Sequence, residues 1–295
     1  MFEVPKRILD ISDFLITKVL RRLDRICSGC CKSRSVSGHM LLTLATLHFF
    51  LILSTCYSDD SFSTTIKWQK INDDIAIGTE NAFWPSVLSP NVLLFRPNLY
   101  KYRVRVRTAT EFGKNIISAQ EISRKGGGLF VINGSFFDHL ERPIGLVISR
   151  GITISPLHKG GMTLTGIFQI RNGKPEIIHR DEFNPNGVVE AIQAGPRLLV
   201  NGKATPVTKN NSRSLRTAVC LDQASNVLFA SSTRWVMGVT LQEMQDILKR
   251  VGCKNALNLD GGGSAQFVFS PSSIPDRMEL LGKDQVPVFL EIVRK

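Results

Sequence analysis

Asn258-Leu259-Asp260-Gly261-Gly262-Gly263-Ser264 is the stretch of this chain whose residue types and spacing best suit chemistry. The apolar run 256–259 reads as a short buried strand, and it stops at one carboxylate followed by three residues without a Cβ. Glycine lets the backbone take positive φ and come close to a ligand. Consecutive N–H groups turned inward form a concave anion-binding nest. On that reading Asp260 stands at the lip of a cradle built by Gly261, Gly262 and Gly263, Ser264 closes its far side, and residues 266–269 resume strand character. A hairpin turn needs one or two glycines, and a third adds an entropic cost that the turn itself does not require.

Three more polar signals follow or open apolar runs. Asn133-Gly134-Ser135-Phe136-Phe137-Asp138 comes directly after the strand-like residues 129–132. Gln193-Ala194-Gly195-Pro196-Arg197 ends the apolar stretch that begins at Val188, and Arg213 and Arg216 precede the strand-like residues 217–221. The elements that must position these groups are mostly strands. Residues 102–107 alternate strictly, which predicts a half-buried strand whose arginines face solvent. Asn172-Gly173 and Asn201-Gly202 are strong hairpin signals, and Arg150-Gly151 marks another tight turn. Two helices are expected behind capping boxes. One opens at Thr108-x-x-Glu111 and ends near Gly126, Gly127 and Gly128; the other opens at Thr240-x-x-Glu243 and ends at Gly252. Strands outnumber helices, so the expected fold is α+β, with antiparallel or mixed sheets and few helices.

The totals bound the rest. A chain of 295 residues that is 43% hydrophobic and 21% charged is an ordinary folded protein with room for one sizeable domain and an appendage. Its net charge of +12 suggests an anionic partner. Three Tyr, three Trp and no interleaving of basic with aromatic residues argue against nucleic acid. His39, His48, His139, His158 and His179 form no ligand-spaced cluster, so neither a metal nor a cofactor is expected. Residues 1–38 read as a basic amphipathic cytoplasmic tail, carrying Lys18, Arg21, Arg22, Arg25, Lys32 and Arg34. Residues 39–57 read as an apolar signal-anchor or signal peptide that meets the membrane through 40–57 and leaves the remainder exported, whether membrane-anchored or, after cleavage, secreted. Residues 58–91 read as a linker and residues 92–295 as the folded domain. Cys220 and Cys253 fall in the exported part, where they could pair in an oxidising compartment or serve as two small buried apolar residues.

In their order along the chain, Asn133-Gly-Ser-Phe-Phe137, Gly195-Pro-Arg-Leu198, Arg216-Thr-Ala218 and Asn258-Leu-Asp-Gly-Gly-Gly-Ser264 resemble the phosphodiester glycosidase family, most closely over residues 125–294. Ser135 stands where that family usually has glycine, and Cys220 where glycine often follows. The resemblance implies a hydrolase that cleaves a sugar from a glycosyl phosphodiester. It makes a glycosyl phosphate or other anionic glycan the expected substrate. The leaving phosphate monoester has a second pKa of about 6 and needs little protonation to depart. The chemistry then asks for a carboxylate near the anomeric carbon and donors for the phosphate oxygens. Asp260 is the candidate carboxylate, as nucleophile or as base for water. Arg216 and the amides of Gly261, Gly262 and Gly263 are candidates for the phosphate, with Arg197 and Arg213 as second choices. Asn133, Asn258 and Gln193 are candidates for fixing sugar hydroxyls or the acid, Ser264 lines the site, and Phe136 offers an apolar wall. A second carboxylate is not evident; Glu190 and Asp138 are the available choices. A module that only binds anionic polysaccharide, and an exopolysaccharide-modifying hydrolase or transferase, are the competing expectations.

Overall fold

The computed structural model describes residues 66–72, 75–81, 91–207, 212–233, 238–270 and 278–295. The basic tail at 1–38 and the apolar segment at 39–57 lie outside the described residues. Among the described residues no helix is long and apolar enough to cross a membrane.

The Asn-Gly pairs turn the chain as their chemistry dictates. Asn172 and Gly173 take φ of 48° and 76° and join strand Gly166–Arg171 to Lys174–His179. Asn201 and Gly202, at 50° and 78°, join Arg197–Val200 to Lys203–Ala204. Left-handed angles at both turn residues match the twist of the strands they connect.

Three sheets result. The first has eight strands, in the order Lys67–Asn72, Ile75–Asn81, Asn91–Pro97, Val227–Ser232, Thr217–Asp222, Cys253–Asn258, Arg197–Val200 and Lys203–Ala204. The second runs Met278–Leu280, Phe267–Phe269, Phe130–Asn133, Val288–Arg294 and Tyr102–Thr108. The third runs Ile152–Ser155, Val147–Ser149, Val188–Ala194, Gly166–Arg171 and Lys174–His179. Every strand pairing among the described residues is antiparallel. With two α-helices among the described residues, this is an α+β fold.

Strand alternation sorts side chains into layers. Val219 and Leu257 of the first sheet face a central core with Phe95, Phe130, Phe229, Phe267 and Phe269, and the third sheet adds Val147, Phe168 and Ile192. The rings of Phe95 and Phe130, from different sheets, stack with centroids 4.2 Å apart. Removing one such ring costs about 3–5 kcal/mol. The alternate residues Ala218, Cys220 and Ala256 are small, and they let Met244, Ile247 and Leu248 of helix Leu241–Arg250 lie close on the outer face. That helix opens at the expected capping box, with Glu243 N–H donating to Thr240 Oγ1 and Thr240 N–H to Glu243 Oε2. Cys220 and Cys253 form a disulfide within this outer layer. Closing a loop of sequence separation 33 stabilises the fold by about 3–4 kcal/mol in the loop-closure account.

Three details differ from the sequence reading. Within the stretch read as linker, Lys67–Asn72 and Ile75–Asn81 form a hairpin on the edge of the first sheet, so the folded unit begins before residue 92. Lys67, Trp68, Gln69 and Lys70 of its first strand are all exposed, which hid the alternation. The Thr108–Glu111 box closes only a single 3-10 turn, because Gly113 takes φ of 71° and ends it. The helix itself is Ala119–Gly126, capped by Ser118 and ended by Gly127. Arg107, expected in solvent, pairs at 3.2 Å with the fully buried Glu291 instead.

Candidate active site

Asp260 is held where the first two sheets meet. Strand Cys253–Asn258 lies between Thr217–Asp222 and Arg197–Val200, with Asn258 opposite Ala218 and Leu257 opposite Arg197. Beyond Asn258 the chain leaves the sheet, yet the amides of Leu259 and Asp260 keep partners. Leu259 N–H donates to Thr217 O at 2.9 Å, and Asp260 N–H donates to Gly134 O at 3.1 Å. Asp260 O accepts from both Asn133 Nδ2 at 2.7 Å and Thr217 Oγ1 at 2.8 Å. Asn258 N–H donates to Pro196 O, and its Nδ2 donates to Gly195 O at 2.9 Å and Leu259 O at 2.8 Å. The strand ends before Asn133, Gly195 and Asp260 therefore converge on one place. Both ends of the Asn133 amide are engaged there, since its Oδ1 accepts Gln266 N–H at 3.1 Å. Asn133 thus straps together the two flanks of the glycine turn.

The three glycines answer three separate requirements. A Cβ on Gly261 would stand 2.7 Å from Leu215 O. Gly262 has φ of +61°, the left-handed region. A Cβ on Gly263 would fall 1.9 Å from Oδ2 of Asp284. The expected cradle of three bare amides is not what forms. Gly261 N–H donates to Asp260 Oδ1 at 2.9 Å, and Gly262 N–H donates to Leu215 O at 2.8 Å, because the turn tightens into a 3-10 segment at Gly262–Ser264. Of the three, only Gly263 N–H has no protein acceptor among the described residues.

Burial pushes the pKa of Asp260 up to about 6, and the charge of Asp284 adds to the rise. The Ser264 hydroxyl and Gly261 N–H, both bonded to the carboxylate, oppose it. Such a value places a carboxyl near the working range of acid–base chemistry. Arg216 lies against the same turn: its Cδ and Nη1 are 3.7 and 3.8 Å from the position of a Cβ on Gly261. Its Nη2 donates to Ser212 O at 3.2 Å, while its Nε is buried without a partner. Burial lowers its pKa, though a guanidinium stays charged at neutral pH. No carboxylate among the described residues forms an ion pair with it.

The remaining candidates have other partners. Gln193 is fully engaged with backbone: Oε1 accepts from Leu146 and His158 N–H, and Nε2 donates to His158 and Leu164 O. It pins the loop at 156–165. Arg213 pairs with Glu243 and donates to Gly238 O, which ties it to the start of the helix. Arg197 is half-buried at the head of its strand, with Cγ 2.7 Å from a Cβ placed on Gly166. Phe136 packs on the central core and Phe137 on the layer beneath helix Ala119–Gly126, so the two rings diverge. Glu190 is buried and accepts Val106 N–H at 2.8 Å, while Asp138 pairs with Arg142 within its own turn at 2.8 Å. Neither is brought to Asp260. The carboxylate that is brought there is Asp284, which no motif signals. Among the described residues no three His, Cys, Asp or Glu side chains gather as a metal-ligand set.

Comparison with known proteins follows the same elements. A family model described as phosphodiester glycosidase matches residues 126–288, more than half of the chain. The bovine N-acetylglucosamine-1-phosphodiester alpha-N-acetylglucosaminidase is 28% identical over 185 residues, which is 53% of this chain and 34% of the bovine protein. The uncharacterized protein YigE of Escherichia coli is 27% identical over 121 residues, 38% of this chain and 48% of that protein. The chain thus spans about half or less of the length of these relatives. Among solved structures, the zebrafish N-acetylglucosamine-1-phosphodiester alpha-N-acetylglucosaminidase catalytic domain, auto-inhibited by its pro-peptide, superposes with a TM-score of 0.58. Its identity is 21%, over 81% of this chain and 86% of that one. A hypothetical protein from Synechocystis gives 0.54 at 14% identity, covering 80% of this chain and 65% of the other. At these identities the structural matches establish a shared fold.

Proposed function

Because this chain belongs to the phosphodiester glycosidase family, we propose that it hydrolyses a glycosyl phosphodiester, cleaving the bond between the sugar's anomeric carbon and the phosphate oxygen. The observation that carries this reading is the meeting of Asp260, with its raised pKa, and Arg216, which pairs with no carboxylate among the described residues, on one glycine turn. Arg216 takes the charge of the phosphodiester. Asp260 presents its carboxylate to the anomeric carbon as nucleophile or as base for water. Asn133, Asn258 and Gln193 act by holding backbone in place. Arg197 remains a second choice for the phosphate, Phe136 belongs to the core, and Arg213 serves the scaffold. The Cys220–Cys253 disulfide supports export to an oxidising compartment. Anchoring through residues 40–57 remains part of the proposal.

The test is turnover. The full chain is expected to release free sugar from a nitrophenyl- or nucleotide-linked sugar phosphodiester, measured by sugar and phosphate-ester release. Saturable binding of an anionic polysaccharide with no release from any such substrate would favour the binding module and defeat the hydrolase.

A further inference from the structure

The glycine turn seats a second acid. Asp284 is exposed, yet its backbone is fixed on both sides: its N–H donates to Gly263 O at 3.0 Å, and its carbonyl accepts Gln266 Nε2 at 2.9 Å. Gln266 in turn is anchored, accepting Ala119 N–H at 2.7 Å and donating to Ser264 O. The position of Asp284 is thus set by the same turn that carries Asp260. Its carboxylate lies over Gly263, where any side chain would collide with Oδ2. Among the described residues that carboxylate has no hydrogen-bond or ion-pair partner. A surface aspartate held in place through its backbone, with its acid oxygens uncommitted among the described residues and a glycine making room for them, is arranged as an active-site acid would be.

We infer that Asp284 is the second carboxylate of this site and the general base that activates the attacking water, an inference that rests on the hydrolase reading above. Asp284 takes one proton from water as the water oxygen bonds to the anomeric carbon. The bond from that carbon to the phosphate oxygen breaks, its electron pair leaves with the phosphate monoester, and the proton passes from Asp284 to solvent. Asp260, on the buried side of the turn, stays ionised and balances the positive charge that develops at the anomeric carbon. Two carboxylates in unlike settings, one half-buried and one exposed, divide these roles.

Turnover of a nucleotide-linked sugar phosphodiester by the full chain tests this, with Asp284→Ala and Asp284→Asn compared to wild type. Both are expected to lose about 10²–10³-fold in kcat with KM little changed, and with the melting temperature held because the side chain is exposed. Added azide or formate should restore turnover to the alanine variant, azide leaving as the glycosyl azide. Wild-type kcat in Asp284→Ala, or a loss that neither anion rescues, would overturn the assignment while an active wild type leaves the hydrolase reading standing. A wild-type chain that turns over no glycosyl phosphodiester would remove both.

Discussion

Asp260→Asn is expected to lower kcat by about 10³–10⁵-fold and, in the same molecule, to raise the melting temperature at neutral pH. The activity loss follows from removing the charge nearest the turn. The stability gain follows from linkage. Asp260 has an ordinary pKa of 3.8 and a folded value of about 6, raised first by burial and then by Asp284. The folded state therefore holds the proton more tightly than the unfolded chain. The stability associated with the protonated form is fully present below pH 3.8 and is lost as pH rises through about 6. Above that point the ionised acid costs the fold on the order of 2–3 kcal/mol. Asparagine avoids this cost and can still accept Gly261 N–H through its carbonyl. Thermal unfolding from pH 4 to 8 should show the variant and wild type diverging as pH rises. In wild type kcat/KM should fall on the acid side with an apparent pKa near 6. Undiminished turnover in the variant would remove Asp260 from the chemistry.

Arg216→Ala is expected to raise KM for a glycosyl phosphodiester by about 10²-fold, the scale of a charge-assisted contact to phosphate in a partly buried setting. An uncharged aryl glycoside, if turned over at all, should show little change. The contrast isolates the guanidinium's role with the anion. Arg216→Lys should recover only part of the loss, since an ammonium cannot reproduce the planar fork. The fold should tolerate the alanine, because the guanidinium is half-buried, has no carboxylate partner among the described residues and leaves its Nε unsatisfied. Steady-state kinetics on the two substrate classes make the check. Equal losses on charged and uncharged substrates would place Arg216 outside phosphate binding.

Much of this site was legible because local chemistry dictated it. Asn172-Gly173 and Asn201-Gly202 had to turn the chain, and the apolar runs before Asn133 and Asp260 had to be strands. Their convergence follows once those strands enter adjoining sheets. The three-glycine run reads as a cradle of bare amides, and the structure gives each glycine a different reason. Only Gly262 needs a left-handed angle, while Gly261 admits the Leu215 carbonyl and Gly263 admits the Asp284 carboxylate. Sequence shows that space is reserved without showing what fills it, so Asp284 stayed hidden. It lies in Gly282-Lys283-Asp284, with neither periodicity nor motif, and reaches Gly263 through backbone pairing alone. Gln193 misled in the opposite way. A buried amide at a strand end looks like a ligand for sugar hydroxyls, yet four backbone groups of neighbouring loops take all its capacity. Arg107 was misplaced because alternation gives the side of a strand and says nothing about a buried acid, Glu291, waiting on the neighbouring one.

The most direct test of the account is which bond breaks. Hydrolysis of a sugar phosphodiester by the full chain in water labelled with heavy oxygen, followed by mass spectrometry of both products, gives the answer. Attack at the anomeric carbon places the label in the released sugar and leaves the phosphate monoester unlabelled. Label in the phosphate monoester would mean attack at phosphorus, and would contradict a site in which Asp260 serves the sugar and Arg216 the departing phosphate.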